Sequence, residues 1–97
     1  GSVETPLNIE LIPLTTMNDV TITHVESGYS MRVADTLLTK PATLIVDTKA
    51  GTVRRGTYNA INAFSGQFLT ARAGENTYLF NGAAGTVKIR WRNRWLA

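Results

Sequence analysis

From Thr86 to Arg92 the chain reads TVKIRWR, a run that alternates without a break. Val87, Ile89 and Trp91 share one side, and Lys88, Arg90 and Arg92 share the other. A period of two is the repeat of a pleated strand, and no helix can segregate such a pattern into two faces. The run therefore predicts a strand with a buried apolar face and a solvated cationic face. The same rhythm of strand, turn and strand precedes it in ATLIVDTKAGTVRRG and AGENTYLFNGAAG.

Read along its length, the chain keeps this character. LNIELIPL places Leu7, Ile9 and Leu11 on one face, and Pro13, lacking an N–H, ends the strand or puts it at a sheet edge. VTITHV is β-branched and alternating, Glu26-Ser27-Gly28 signals a tight turn, and GYSMRVA puts Tyr29, Met31 and Val33 on one face. These two runs predict a β-hairpin. Asp35 to Pro41 is a connection too short for a helix. ATLIVDT and TVRRG form a second hairpin around Lys49-Ala50-Gly51, with Gly51 free to take a positive φ. Thr57 to Gly66 reads as a loop with room for one turn of helix. TYLF, the small-residue turn NGAAG and the terminal strand close the chain. About seven or eight strands with turn signals roughly every ten residues predict an all-β fold. The architecture expected is an antiparallel β-sandwich of the jelly-roll kind, with a partly open OB-type barrel as the alternative.

Ninety-seven residues, 43% of them apolar, are enough for one modest core and no second unit. Gly1-Ser2 stands where a methionine is expected and reads as a tag remnant. Residues 3–97 read as one domain from the C-terminal part of a longer chain. With no cysteine, neither disulfides nor thiolate metal sites are available. Apolar runs are only a few residues long, so no segment spans a bilayer and no membrane partner is expected. The net charge of +3 is mild, but its placement is uneven: Arg90, Arg92 and Arg94 cluster at the end, and Arg54 and Arg55 form a second pair.

No catalytic, cofactor or metal motif emerges. The single histidine, His24, has no nucleophile or orienting carboxylate placed beside it by the sequence, and it reads as a hydrogen-bonded strand residue. The seven carboxylates show no metal-ligand spacing. Asp47 precedes a hairpin loop and suits the role of accepting turn N–H bonds, and Asn76 after Gly74 has the same character. None of the glycines builds a phosphate loop. The sequence RWRNRW mixes the residue types enriched at interface hot spots, so Arg90, Arg92, Arg94 and Trp95 are the candidate contact residues. The bland alternative buries Trp91 in the core and leaves the arginines as a solvated strand face. Arginine and tryptophan also suit nucleic acid, the weakest of these readings.

From Ala42 onward the order of motifs resembles the C-terminal domain of distal tail proteins of long-tailed bacteriophages and related tail-tip components. The residues concerned are Leu44-Ile45-Val46-Asp47-Thr48, Thr52-Val53, Gly56, and Phe64 or Phe68. They continue with Ala73-Gly74-Glu75-Asn76-Thr77, Gly85-Thr86-Val87, Arg90-Trp91-Arg92 and Arg94-Trp95. Where the family pattern has Asn-Gly, this chain has Arg55-Gly56. The resemblance implies a galectin-like β-sandwich without enzymatic activity, assembled in the host cytoplasm and carried on the virion. Such a domain decorates a ring, usually hexameric, that joins the tail tube to the baseplate or tail fibre, so its partners are other tail and baseplate proteins. The fold is similar to carbohydrate-binding modules, and a module for host cell-wall saccharide is the alternative function. Its recognition residues would be amides such as Asn76 with an aromatic such as Tyr78, Tyr58 or Trp95. The chain is too short to carry the sugar-binding insertions of some relatives.

Overall fold

A computed structural model of the chain describes residues 4–91. Within them lie eleven strands: β1 Thr5–Pro6, β2 Asn8–Pro13, β3 Val20–His24, β4 Ser30–Val33, β5 Leu44–Asp47, β6 Thr52–Arg55, β7 Tyr58–Asn59, β8 Phe64–Gly66, β9 Thr70–Ala71, β10 Tyr78–Gly82 and β11 Gly85–Arg90. A 3-10 turn, Ile61–Ala63, separates β7 from β8. One sheet has the order β11-β2-β5-β6-β7, the other β10-β3-β4-β8, and β1 with β9 forms a short ribbon. Every pairing is antiparallel. Two separate sheets enclosing one core make the architecture a β-sandwich, not a closed barrel.

The register follows from which side chains leave water. Across the five-stranded sheet, Ile89, Ile9, Val46 and Val53 stand in one row, and Val87, Leu11 and Leu44 in the next. The facing sheet contributes Val20, Val33 and Phe64 in one row, and Phe80, Ile22 and Met31 in another. Ile9, Leu11, Leu44, Val46 and Val53 are fully buried. Each such side chain contributes about 1.5–3 kcal/mol on burial. A slip of β2 by one residue would expose Ile9 and Leu11 and bury Glu10, so this face alone sets the pairing.

Both expected hairpins are present. β3 and β4 pair from Val20↔Val33 to Thr23↔Ser30, and β5 and β6 from Leu44↔Arg55 to Asp47↔Thr52. Gly51 closes the second with φ +68°, which a residue with a Cβ rarely adopts. The turn before β11 is different in kind. β10 lies in one sheet and β11 in the other, so residues 83–84 form an arch across the sandwich rather than a hairpin.

Three expectations need correction. Trp91 does not join the buried face of the last strand: β11 ends at Arg90, opposite the first residue of β2, and the indole is 53% exposed. Val87 and Ile89 are only half-buried, because β11 has a neighbour on one side alone among the described residues. Tyr29 does not share the inward face of Met31 and Val33; it precedes β4 in the turn and is largely exposed. The strand count also exceeds the expected number. The additional strands β1, β7, β8 and β9 are two or three residues each, too short to display an alternation.

Candidate functional site

Of the expected contact residues, Arg90 is the last residue of β11, while Arg92, Arg94 and Trp95 lie outside the described residues. The pleat turns Lys88 and Arg90 outward. Lys88 stands opposite Glu10, and the same cross-sheet row continues through Ile45 to Arg54. Arg90 reaches Glu10 through two long contacts of 3.4 Å. Half-exposed ion pairs of this length hold little energy, so both cations remain accessible to a partner. On the outer side of this sheet the cations Lys88, Arg90 and Arg54 thus stand with two carboxylates, Glu10 and Asp47.

Beside the start of β11 lies a groove of about 510 Å³. Its walls include Pro13, Leu14, Phe80, Ala83 and Ala84, with Lys40 at the rim. Leu14 is 65% and Phe80 39% exposed, although Phe80 stands on the inward face of β10. The cause is topological: among the described residues β10 and β11 are both edge strands, and the arch between them lies at that side of the sandwich. The result is an apolar groove continuous with a cationic edge strand.

Asp47 and Thr48 hold the second hairpin and its attachment. Asp47 Oδ1 accepts the Lys49 and Ala50 N–H groups at 3.0 and 3.1 Å. Thr48 Oγ1 accepts the Leu7 N–H at 2.6 Å, and the Thr48 N–H donates back to the Leu7 carbonyl at 2.9 Å. The Asp-Thr pair therefore ends β5 and ties it to the start of β2.

His24, at the inner end of β3, is 2% exposed. Asn76 Oδ1 accepts the Arg72 N–H, and its Nδ2 donates to the carbonyls of Arg72 and of Gly74, where φ is +90°. That amide orientation is fixed by backbone, so His24 Nε2, 2.8 Å from Oδ1, carries the proton and donates it. Nδ1 is then the acceptor for the Ser27 hydroxyl at 2.7 Å. A serine, the histidine and an asparagine thus stand in the order of a hydrolase triad, a nucleophile arrangement the sequence did not place. The chemistry does not follow. Ser27 Oγ is already held by the Tyr29 N–H at 3.1 Å, and no substrate atom reaches Nε2 without displacing Asn76. The cluster locks the β3–β4 turn to the loop before β10.

Two neighbours complete that lock. Glu26 accepts the Thr77 N–H at 2.7 Å, and this bond holds its carboxyl below the ordinary glutamate range, with nearby His24 adding a smaller effect. The Tyr78 hydroxyl donates to the Thr70 carbonyl at 2.9 Å, and burial, then the Glu26 charge, pushes its ionisation upward. Asn76 and Tyr78 are therefore engaged internally and are not free for sugar recognition.

Arg54 and Arg55, adjacent in sequence, part company. Arg54 is exposed on the outer face, whereas Arg55 turns inward at the row of Leu44 and meets buried Asp35. Period-two alternation carries this signal, but the buried carboxylate, twenty residues away, is not visible from it. Among the described residues no group of three histidine or carboxylate side chains is placed to hold a metal ion.

Residues 1–95 match the family model described as siphovirus-type tail component, C-terminal domain. No curated protein and no solved structure matches the chain.

Proposed function

The chain belongs to the siphovirus-type tail component family, as the C-terminal domain, and on that premise we propose that it works by binding alone, joining neighbouring proteins of the tail tip. A tail component is a structural part of the virion and associates with other tail proteins. The finer proposal is that the β10–β11 side of the sandwich is the attachment surface toward the baseplate or tail fibre, in a ring assembled by the parent protein.

One observation carries this reading: the apolar groove with exposed Leu14 and Phe80 runs into the cationic edge of β11. An apolar centre with a charged rim is the anatomy of a protein interface. Among the described residues the outer side of β11 has no partner strand, and its backbone groups there suit pairing with one from another protein. On the edge strand itself Lys88 and Arg90 stand against the single carboxylate of Glu10 on β2, and this favours an acidic partner. Arg92 and Arg94 follow in sequence and extend the positive charge.

The test is reconstitution with the other purified tail-tip proteins of the same phage. Replacing Lys88, Arg90, Arg92 and Arg94 by glutamine should abolish assembly while the unfolding midpoint stays in place. Assembly unchanged in that variant would sink the proposal.

A further inference from the structure

The backbone of β11 divides its hydrogen-bonding groups between two sides. The Leu14 N–H donates to the Ala84 carbonyl at 3.1 Å, and this pair continues the register of β2 with β11. On the other side of β2 the Thr48 N–H donates to the Leu7 carbonyl at 2.9 Å, in register with β5. Successive residues of an antiparallel ladder bond to alternate sides. The even-numbered residues of β2 therefore face β11, and their partners Thr86, Lys88 and Arg90 spend their backbone groups there. The N–H and C=O groups of Val87 and Ile89 face the other way, where no strand lies among the described residues.

The side chains carry a matching pattern. Val87 and Ile89 point inward but are only half-buried, whereas Leu11 and Ile9 opposite them are fully buried. β2 has a strand on each side, and β11 has one on one side alone among the described residues. Lys88 and Arg90 point outward, with Glu10 the one acid of the adjoining strand. At the start of β11 the groove of Leu14 and Phe80 opens beside Gly85 and Thr86.

We propose that β11 is completed by an extended segment of a partner protein, added antiparallel, in which acidic and apolar residues alternate. This rests on the attachment surface argued above and specifies what that surface takes. Residues opposite Val87 and Ile89 exchange backbone hydrogen bonds with them and point inward, so they are apolar and β-branched. Residues opposite Lys88 and Arg90 point outward beside a cation, so they are acidic. The antiparallel direction brings the C-terminal end of the segment to the groove, where a large apolar side chain fits. Other occupants match less well. A second copy paired through its own β11 would bring cations together. The chain's own residues 92–97 add Arg92 and Arg94 and no acid.

The test is an amide-shift titration of the ¹⁵N-labelled full chain with the end-capped peptide Glu-Val-Glu-Val-Thr-Phe. Saturable shifts should appear at the Val87 and Ile89 amides, and their exchange with solvent should slow. N-methylation of both peptide valines should abolish binding, because their N–H groups face β11. N-methylation of both glutamates, whose N–H groups face away, should leave it within about twofold. The reordered peptide Glu-Glu-Val-Val-Thr-Phe has the same charge and composition and should bind about tenfold more weakly. Lys88→Gln with Arg90→Gln should weaken binding of the first peptide roughly tenfold without moving the unfolding midpoint. No saturable shift at up to about 5 mM peptide overturns the proposal. So do shifts mapped to β10, or equal binding of the reordered peptide. Val87 and Ile89 amides already protected in the free chain overturn it too, since the edge would then be held by the chain's own ends or by a second copy. The two readings fail separately. Tail-tip assembly that needs the cations, with no peptide bound, keeps attachment and removes strand addition. Peptide binding with assembly untouched by loss of the cations keeps strand addition and removes attachment through this edge.

Discussion

At the residue scale, Asn76 is the most heavily committed side chain among the described residues. It makes hydrogen bonds to Arg72, Gly74 and His24, closing a lock between segments 52 residues apart. Asn76→Ala leaves the His24 Nε2 proton and the Arg72 N–H without their partner in a poorly solvated place. A loss of about 2–3 kcal/mol in urea unfolding is expected. His24 as a satisfied strand residue was legible from VTITHV, but its partner Asn76 was not, because only folding brings the two together. Glu26 gives the lock a pH dependence. The Thr77 N–H bond depresses its carboxyl in the folded state, so the stabilisation is present above the unfolded-state value and is lost as pH falls through the folded one. Asp19 behaves alike, held down by the side-on bonds from Arg32 at 2.8 and 2.9 Å. The urea midpoint should fall as pH drops from about 5 to below 4. In Glu26→Gln with Asp19→Asn the fall should be shallower, and an identical slope would refute this assignment.

At the element scale, the alternation that marks a strand did not reveal how its neighbours are arranged. TYLF-NGAAG-TVKIR reads like a hairpin, yet β10 and β11 go to different sheets. A turn sequence constrains local backbone, whereas the choice of sheet is made by which faces can be buried together. The short strands were hidden for another reason: two or three residues cannot show a period. β8 is an example with a testable constraint. Gly66 has φ +92°, and a Cβ there would lie 2.5 Å from the Ser30 carbonyl oxygen. Gly66→Ala should cost about 1–3 kcal/mol, read as a lowered melting midpoint, because both the backbone and the facing strand resist it. β6 shows the opposite case, in which a local rule holds. Alternation in TVRR sends the two arginines to opposite faces, and the inward one required a buried acid. Asp35→Ala leaves Arg55 inward and uncompensated, so a loss of about 3–5 kcal/mol is expected, with Asp35→Ala/Arg55→Leu recovering part of it.

At the scale of the whole molecule, the five-stranded sheet has two unlike edges. β11 ends in cations beside an apolar groove, while β7 borders a charge-balanced polar cleft. Charge loss at Lys88 and Arg90 should therefore weaken protein association, with a strong dependence on ionic strength, and leave folding nearly untouched, since both side chains are solvated. Binding of the purified domain to its tail partners across a salt series checks this; salt-independent association would count against a cationic surface. The sequence by itself determined the all-β class, the two hairpins, the inward positions Ile9, Leu11, Met31 and Val33, and the membership of a tail-protein family. These rest on period-two alternation, turn chemistry and motif order, which are local and survive in one dimension. The tertiary structure alone decided that Trp91 is exposed, that Arg55 meets Asp35, that Asn76 meets His24 and that the last turn is an arch. Each of those depends on which distant surfaces come into contact, and burial is a property of the packed pair of sheets rather than of any one strand.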